Sequence, residues 1–195
     1  MRKKIIVGID EVGRGPLAGP VSIGIAACLG GTLPFLVKDS KQMTEKAREA
    51  VYGLAQELHQ TGELVFGVYS VPAEKVDAWG ITRAIAEAVA RGLRDLALDP
   101  KEVELKLDGR LRAPHTFSQE AIIRGDMLVP IISLASVVAK VERDRYMTDV
   151  AHRDYPAYGF DSHKGYGTAA HYVAIQSHGL SPLHRRSFLK KIMLA

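Results

Sequence analysis

The segment KIIVGID, from Lys4 to Asp10, sets the strongest limit on the fold. Its residues are mostly β-branched and apolar, which is typical of a strand buried inside a protein. The segment from Val21 to Leu29 has the same character, and the intervening residues Gly13-Arg14-Gly15-Pro16 are typical of a turn. The chain is therefore expected to begin with two buried strands and a glycine-containing turn.

Patterns later in the chain predict more strands, followed by helices. Thr44 is a candidate N-cap, and apolar residues recur at helical spacing from Ile81 to Leu96. The predicted strands are 63–71, 103–107 and 116–123, and the predicted helices are 44–59, 81–96, 130–153 and 169–178. Because strands cluster early and helices late, we expect one α/β domain over 1–195. It would be a mixed sheet flanked by helices, with a helical, basic C-terminal region from about 155 to 195.

Acidic residues stand beside or close to glycine at the ends of three apolar segments, as Asp10-Glu11, Asp108-Gly109 and Gly125-Asp126. Strand ends in open α/β sheets face the crevice in which ligands bind. Carboxylates gathered there repel one another and are costly to desolvate unless cations join them. Oxygen ligands suit the hard cations Mg²⁺ and Mn²⁺. The pattern predicts a divalent-metal site.

Each acid also has a purely structural interpretation. Asp108-Gly109 alone is typical of a turn, and Asp126 alone is typical of a helix cap. Asp10-Glu11 favours function, because two adjacent acids at the end of an apolar strand serve no packing purpose. Neighbouring residues of a strand point to opposite faces, so we expect the strand to end or twist at this pair.

The sequence argues against a bound nucleotide cofactor and against a zinc site. Gly13-Arg14-Gly15 is followed by a proline and no helix, so the dinucleotide fingerprint fails, and no Walker-type phosphate loop occurs. Seven histidines without an His-x-x-x-His pair, and a single cysteine, argue against zinc. The loop HKGYGT (163–168) and the segment HRRS (184–187) are either ordinary basic surface or contacts to a sugar-phosphate backbone.

The charge distribution and the cysteine content bear on the binding partners and on the cellular compartment. Residues 1–139 carry 17 basic and 17 acidic side chains, whereas residues 140–195 carry 9 and 5, so the whole net charge of +4 lies in the last quarter. That excess is either ordinary surface charge or a surface that meets phosphates. The lone Cys28 fits a reducing compartment, and glycines and prolines interrupt the uncharged run 15–37. We expect a cytoplasmic monomer without a membrane segment.

Seven segments, taken in order, resemble bacterial ribonuclease HII, the type 2 ribonuclease H family. They are GIDEVGRGPLAGP (8–20), DSK (39–41), LDG (107–109), GD (125–126), ASVVAKVERD (135–144), HKGYGT (163–168) and HRRSF (184–188). The resemblance covers nearly the whole chain, and its departures, such as Leu107 before the aspartate, are small. It implies a ribonuclease H-like sheet with helices.

The resemblance also implies an activity and a set of site residues. The four metal-site acids fall on Asp10, Glu11, Asp108 and Asp126, which would hold two Mg²⁺ or Mn²⁺ ions. Recognition of the ribose 2′-hydroxyl falls on Gly13, Arg14 and Gly15, and packing on the following deoxyribose falls on Tyr166. The expected reaction hydrolyses the RNA strand of RNA–DNA hybrids and nicks duplex DNA 5′ of embedded ribonucleotides, leaving 5′-phosphate and 3′-hydroxyl ends. The residues expected to contact backbone phosphates are Ser40, Lys41, Lys164 and Arg185.

Two other functions remain open from the sequence. A resolvase- or transposase-like nuclease would share the carboxylates but would have no reason to sense a 2′-hydroxyl. A nucleic-acid binding module that has lost catalysis is the second, and the presence of all four acids argues against it.

Overall fold

The computed structural model describes residues 4–37, 40 and 42–189. Its strands are β1 (Ile5–Val12), β2 (Val21–Cys28), β3 (Leu64–Val71), β4 (Val103–Asp108) and β5 (Gln119–Ile122). Its α-helices are α1 (Glu45–Gln60), α2 (Ala73–Trp79), α3 (Ile81–Asp95), α4 (Gly125–Leu128), α5 (Pro130–Arg145), α6 (His152–Asp154), α7 (Phe160–His163) and α8 (Ala169–His178). The predicted α/β class, a mixed sheet with flanking helices, is confirmed.

The five strands form one sheet in the order β3-β2-β1-β4-β5. Strand β1 pairs antiparallel with β2 and parallel with β4, while β2–β3 is antiparallel and β4–β5 is parallel. Because β1 and β4 are parallel neighbours at the centre, their carboxyl ends lie at the same edge of the sheet. That edge is where the acids at their ends can meet.

Helix α5 packs very closely against the centre of the sheet. A Cβ atom added to Gly8 in β1 would lie 2.3 Å from the Ile131 carbonyl oxygen, and one added to Gly24 in β2 would lie 2.0 Å from the Ala135 oxygen. Neither position has room for a side chain. The two glycines therefore let the helix backbone approach the strands, which brings the side chains of α5 close to the end of β1.

Separate apolar layers cover the two faces of the sheet. Helix α3 supplies Ala84, Ile85, Ala88, Val89 and Leu93 to one layer, while α1 and α5 supply most of the other. The predicted N-cap is confirmed, since the Thr44 hydroxyl accepts a hydrogen bond from the Ala47 amide at 3.2 Å.

The C-terminal segments differ in detail from the predicted helices. The helix predicted over 130–153 is α5, followed by a wider π-helical turn (Tyr146–Ala151) and the short α6. A third apolar cluster joins Leu17 and Ala18 to the region that follows α5, including Phe160 and Ile175. Within the described ranges, no helix combines the length and hydropathy needed to cross a membrane.

Candidate active site

Three aspartates meet where the parallel pairing of β1 and β4 stops. The last paired residues are Ile9 and Leu107, so Asp10 and Asp108 are the next residue on each strand. Helix α4 brings Asp126 to the same place, and the Asp126 amide donates to Asp108 Oδ1 at 3.2 Å. One carboxylate oxygen from each of the three lies within 4.8 Å of the others. The structure therefore brings together three of the four predicted acids.

The prediction that β1 ends at Asp10-Glu11 is wrong, while a twist of the strand at this pair stays a prediction. The antiparallel pairing of β1 with β2 continues through Asp10 and Glu11 to Val12. Asp10 faces α5, where it hydrogen-bonds to Ser136, whereas Glu11 lies outside the group of three aspartates. Its carboxylate accepts a hydrogen bond from Arg14 at 3.3 Å, and it remains close enough to Asp108 for the two charges to repel.

Burial makes the Asp10 carboxyl reluctant to ionise. Asp10 is 3% exposed, and removal from water raises the pKa of its carboxyl to about 8, against the opposing effect of a hydrogen bond with Ser136. Repulsion from Asp108 and Glu11 adds to the rise. A carboxyl that is costly to ionise beside two other acids fits a site completed by a divalent cation, because a cation removes that cost. The all-oxygen donor set suits Mg²⁺ or Mn²⁺.

Two serines on α5 support the acids, and the sequence analysis assigned them no role. Ser136 hydrogen-bonds to the Asp10 carboxyl and lies 2.9 Å from the Ser40 hydroxyl, while the Ser133 hydroxyl donates to the Asp126 carbonyl at 2.6 Å. Two serines spaced three apart in a largely buried helix were the available indication. Ser136 orients the Asp10 carboxyl at the end of β1, and Ser133 holds the backbone of Asp126 in α4.

A groove of about 580 Å³ opens beside the acids. Its cationic lining side chains are Arg14, Arg48 and Lys140, of which only Arg14 was predicted. Predicted residues that the structure brings to this groove are Glu11, Gly13, Arg14, Gly15, Ser40 and Tyr166. A groove that combines cations with a neighbouring acid cluster suits a phosphate backbone held next to bound metal.

Arg185 holds the glycine loop, which corrects its predicted role as a phosphate contact. The residue is fully buried, and its guanidinium donates to the carbonyl oxygens of Gly13 at 2.7 Å, Arg14 at 3.2 Å and Gly19 at 3.0 Å. Each of its three nitrogens therefore already has a backbone acceptor. Arg185 positions the loop from inside the protein and cannot meet a phosphate in this arrangement.

Two other predicted phosphate contacts have different outcomes. The Lys164 ammonium donates to the Thr148 hydroxyl at 2.7 Å and to the Asp161 carbonyl, and Lys164 does not line the groove. Its observed contacts tie the end of α7 to the π-helical turn. Lys41 lies outside the described residues.

Tyr166 lies on the far side of the groove, in a loop anchored by three histidines. Tyr166 is 42% exposed, and Lys140 Nζ lies 5.8 Å from its ring centroid. The Tyr166 carbonyl accepts from His171 Nδ1 at 2.9 Å, and His171 Nε2 lies 3.0 Å from His184 Nε2. His163 adds a third link, since its Nδ1 accepts from the Gly165 amide at 3.2 Å. The loop is therefore a rigid platform for the tyrosine, unlike an ordinary surface turn.

The histidine chain requires neutral rings. The Ser181 amide donates to His184 Nδ1 at 3.0 Å, so the proton of His184 is on Nε2 and points at His171. His171 must then accept at Nε2 and donate from Nδ1 to Tyr166. Burial, together with repulsion from His171, lowers the pKa of His184 to about 4. Burial also lowers the pKa of His171.

We expect the free energy of unfolding to fall as the pH drops from about 6.5 to about 4. In that window the unfolded chain binds a proton at residue 184 that the folded protein excludes, because the folded pKa of His184 is about 4. The slope per histidine is about 1.4 kcal/mol per pH unit. Urea unfolding across this range should show a shallower pH dependence for His184→Gln than for the unaltered protein. An exposed-site control, His115→Gln, should keep the full slope; equal slopes in all three proteins would contradict the interpretation.

A family model and an individual relative both match this chain, and both are of the same family. The family model for ribonuclease HII matches residues 7–191. A ribonuclease HII of Paracidovorax citrulli is 43% identical over 185 residues, which cover 94% of this chain and 74% of that protein.

Two solved structures share the fold. Ribonuclease H2 from Pyrococcus horikoshii superposes with a TM-score of 0.73 at 24% identity, and the match covers 96% of both chains. Bst-RNase HIII, solved in complex with Mn²⁺, gives a TM-score of 0.69 at 19% identity, covering 98% of this chain and 70% of that one. At these identities the likeness concerns the fold alone.

Proposed function

The chain belongs to the ribonuclease HII family, and we propose that it nicks duplex DNA on the 5′ side of embedded ribonucleotides. Membership makes it a metal-dependent endoribonuclease that cleaves the RNA strand of RNA–DNA hybrids. The observation that carries the proposal is the group of three aspartates within 4.8 Å, set beside a groove lined by cations and by the glycine loop. Its biological role would be the removal of misincorporated ribonucleotides and RNA primers.

The four acids Asp10, Glu11, Asp108 and Asp126 are assigned to the metal site. Asp10, Asp108 and Asp126 would bind directly, since their carboxylates already converge. Glu11 would act from the groove that it lines together with Ser136, next to the three aspartates. Two Mg²⁺ or Mn²⁺ ions held there would supply an activated water and neutralise the leaving 3′-oxygen, giving 5′-phosphate and 3′-hydroxyl products.

The protein's own part of the reaction is to position the scissile phosphate and to release the Asp10 proton. Because burial raises the pKa of Asp10 to about 8, this carboxyl must lose a proton when a cation binds. The hydrogen bond from Ser136 favours the ionised form and keeps the carboxylate in place. Arg48 and Lys140 would hold the phosphate backbone in the groove without reading sequence.

The selectivity for ribose is assigned to Gly13, Arg14 and Gly15. Their backbone is fixed from behind by Arg185, which leaves the groove side of the loop rigid and accessible. A 2′-hydroxyl can both donate and accept, so a fixed backbone loop can discriminate RNA from DNA at one nucleotide. Tyr166 would pack on the next deoxyribose, and Ser40, Lys41 and Lys164 remain candidate phosphate contacts.

A direct assay uses two labelled DNA duplexes of the same sequence, one of which carries a single ribonucleotide. With Mn²⁺ or Mg²⁺ present, we expect one cut on the 5′ side of the ribonucleotide and no cut in the all-DNA duplex. Equal cutting of both would reject 2′-hydroxyl recognition and favour a nuclease of the resolvase or transposase type. Binding of both duplexes without cutting would indicate a binding module.

Alanine substitutions at the two ends of the glycine loop distinguish an effect on ribose recognition from an effect on folding. Gly15 has no atom within 4 Å of an added Cβ, so Gly15→Ala should fold normally yet hinder the approach of the ribose. Gly13 has φ +83°, and its added Cβ would lie 2.3 Å from Arg143 Nε, so Gly13→Ala should lose about 2 kcal/mol of stability.

For Gly15→Ala we expect the rate on the single-ribonucleotide duplex to fall at least about tenfold with an unchanged melting temperature, which corresponds to about 1.4 kcal/mol of transition-state binding. Cleavage and thermal unfolding of the two variants, measured side by side, check this. A fully active Gly15→Ala variant would remove that glycine from ribose recognition.

A further inference from the structure

Arginines that follow the Asp108 turn form a second cationic surface, separate from the groove. Arg110 and Arg112 line a cavity of about 220 Å³ together with Arg14 and the first turn of α3, which contributes Thr82. The residue between them, Leu111, is 4% exposed and packs in the core under α3. Burial of Leu111 fixes this short segment and leaves both arginines on the surface.

Arg110 and Arg112 have no partner among the described residues that neutralises their charge. Neither guanidinium forms an ion pair or a hydrogen bond with any residue in the described part of the chain, and no acid is among the residues lining the cavity. By contrast, Arg14 pairs with Glu11, and Lys140 and Arg145 have carboxylate partners. Unpaired arginines gathered in a cavity suit a phosphate, because the guanidinium fork matches phosphate oxygens.

The cavity adjoins the groove of the proposed active site. Arg14 lines both the groove and this cavity. Along the chain, Arg110 lies two positions after the metal-site residue Asp108. A nucleic-acid strand held at Asp108 therefore passes close to Arg110 and Arg112. We propose that Arg110 and Arg112 bind a backbone phosphodiester of the substrate beyond the cleaved nucleotide. This proposal rests on the proposed function, since it requires a nucleic acid in the groove.

The test measures how binding of an RNA–DNA hybrid depends on salt. Fluorescence anisotropy in EDTA gives Kd at several NaCl concentrations for the unaltered protein and for R110A/R112A, with Arg14 left intact. Loss of one phosphate contact should reduce the slope of log K against log salt by about 0.9 and weaken binding at about 0.1 M salt roughly tenfold. R110K/R112K, which keeps the charges, should retain most of the slope.

Arg94→Ala is the matched control. Arg94 lies on the same helix as Thr82, twelve residues further on and about 18 Å away along the axis, and it is exposed. Its loss removes one positive charge from the protein but should leave the slope unchanged. Circular dichroism should show that all variants fold, as expected for surface substitutions.

Cleavage of the single-ribonucleotide duplex by the unaltered protein, measured in parallel with Mn²⁺, separates the two levels of the proposal. If it cleaves that duplex at the ribonucleotide while R110A/R112A keeps the original Kd and slope on the hybrid, the phosphate site is rejected and the proposed function stands. The same holds if Arg94→Ala lowers the slope as much as the double variant. If the unaltered protein does not cleave the single-ribonucleotide duplex, the proposed function fails, and if it also does not bind the hybrid, the phosphate site fails with it.

Discussion

Replacing Asp10 by asparagine is expected to abolish cleavage, with a fall in turnover of at least about 10³-fold. Asp10 is the most deeply buried of the three converging aspartates, and the amide cannot supply the negative charge that a divalent ion needs. The groove that would hold the backbone is lined by other side chains, so the Kd for an RNA–DNA hybrid should change by less than about threefold, or under 1 kcal/mol.

The same substitution should stabilise the metal-free protein at pH 7.5 by at least about 1 kcal/mol. Between pH 3.8 and about 8 the folded protein retains a proton on Asp10 that the unfolded chain has released, so this carboxyl lowers stability as the pH rises through that window. Asparagine has no such penalty.

Single-turnover cleavage, hybrid binding and urea unfolding in EDTA measure the three effects of Asp10→Asn. Asp95→Asn, at an exposed position at the end of α3, is the matched control and should behave as the unaltered protein. Near-normal turnover of Asp10→Asn would remove Asp10 from the site.

Replacing Arg185 by alanine is expected to cost about 3 kcal/mol of stability and most of the selectivity for ribonucleotides. Three carbonyl oxygens would lose their donor, at about 1 kcal/mol each: those of Gly13 and Gly19, which are buried, and that of Arg14, which is partly buried. Burial and the nearby Arg143 charge lower the pKa of Arg185 to about 10, so the protein already bears a cost to keep this cation inside.

Arg185→Lys should not restore the loop, because an ammonium lacks the planar fork that reaches three carbonyls. The neighbouring Arg186 is exposed, and Arg186→Ala should stay within about 0.5 kcal/mol of the unaltered protein. Urea unfolding, together with the ratio of cleavage rates on the single-ribonucleotide and all-DNA duplexes, measures both effects. An Arg185→Ala variant as stable and as selective as Arg186→Ala would contradict the positioning role.

The sequence predicted those elements whose patterns are local. The N-cap at Thr44 and the apolar periodicity from Ile81 each depend on a few neighbouring residues, and both helices form where expected. The short α2 was missed, because seven residues give too little periodicity to detect. The π-helical turn after α5 was also missed, since its residues continue a helical pattern.

Features that depend on distant contacts could not be predicted. Arg185 is predicted to meet phosphate from its basic segment, yet it is buried against Gly13, 172 positions earlier in the chain. The predicted end of β1 at Asp10-Glu11 is not observed, because pairing with β2 keeps the strand unbroken to Val12. Ser136 and the histidines behind Tyr166 gain their roles only from packing.

Titration with Mn²⁺ shows directly whether the aspartates at the end of the β1–β4 pairing hold the metal. Electron paramagnetic resonance of free Mn²⁺ during titration gives the number of bound ions and their affinity, without dependence on cleavage. We expect Asp108→Asn to weaken binding at least about tenfold, or about 1.4 kcal/mol, and Asp95→Asn to leave it unchanged. If Asp108→Asn bound Mn²⁺ as tightly and in the same number as the unaltered protein, the metal site would lie elsewhere.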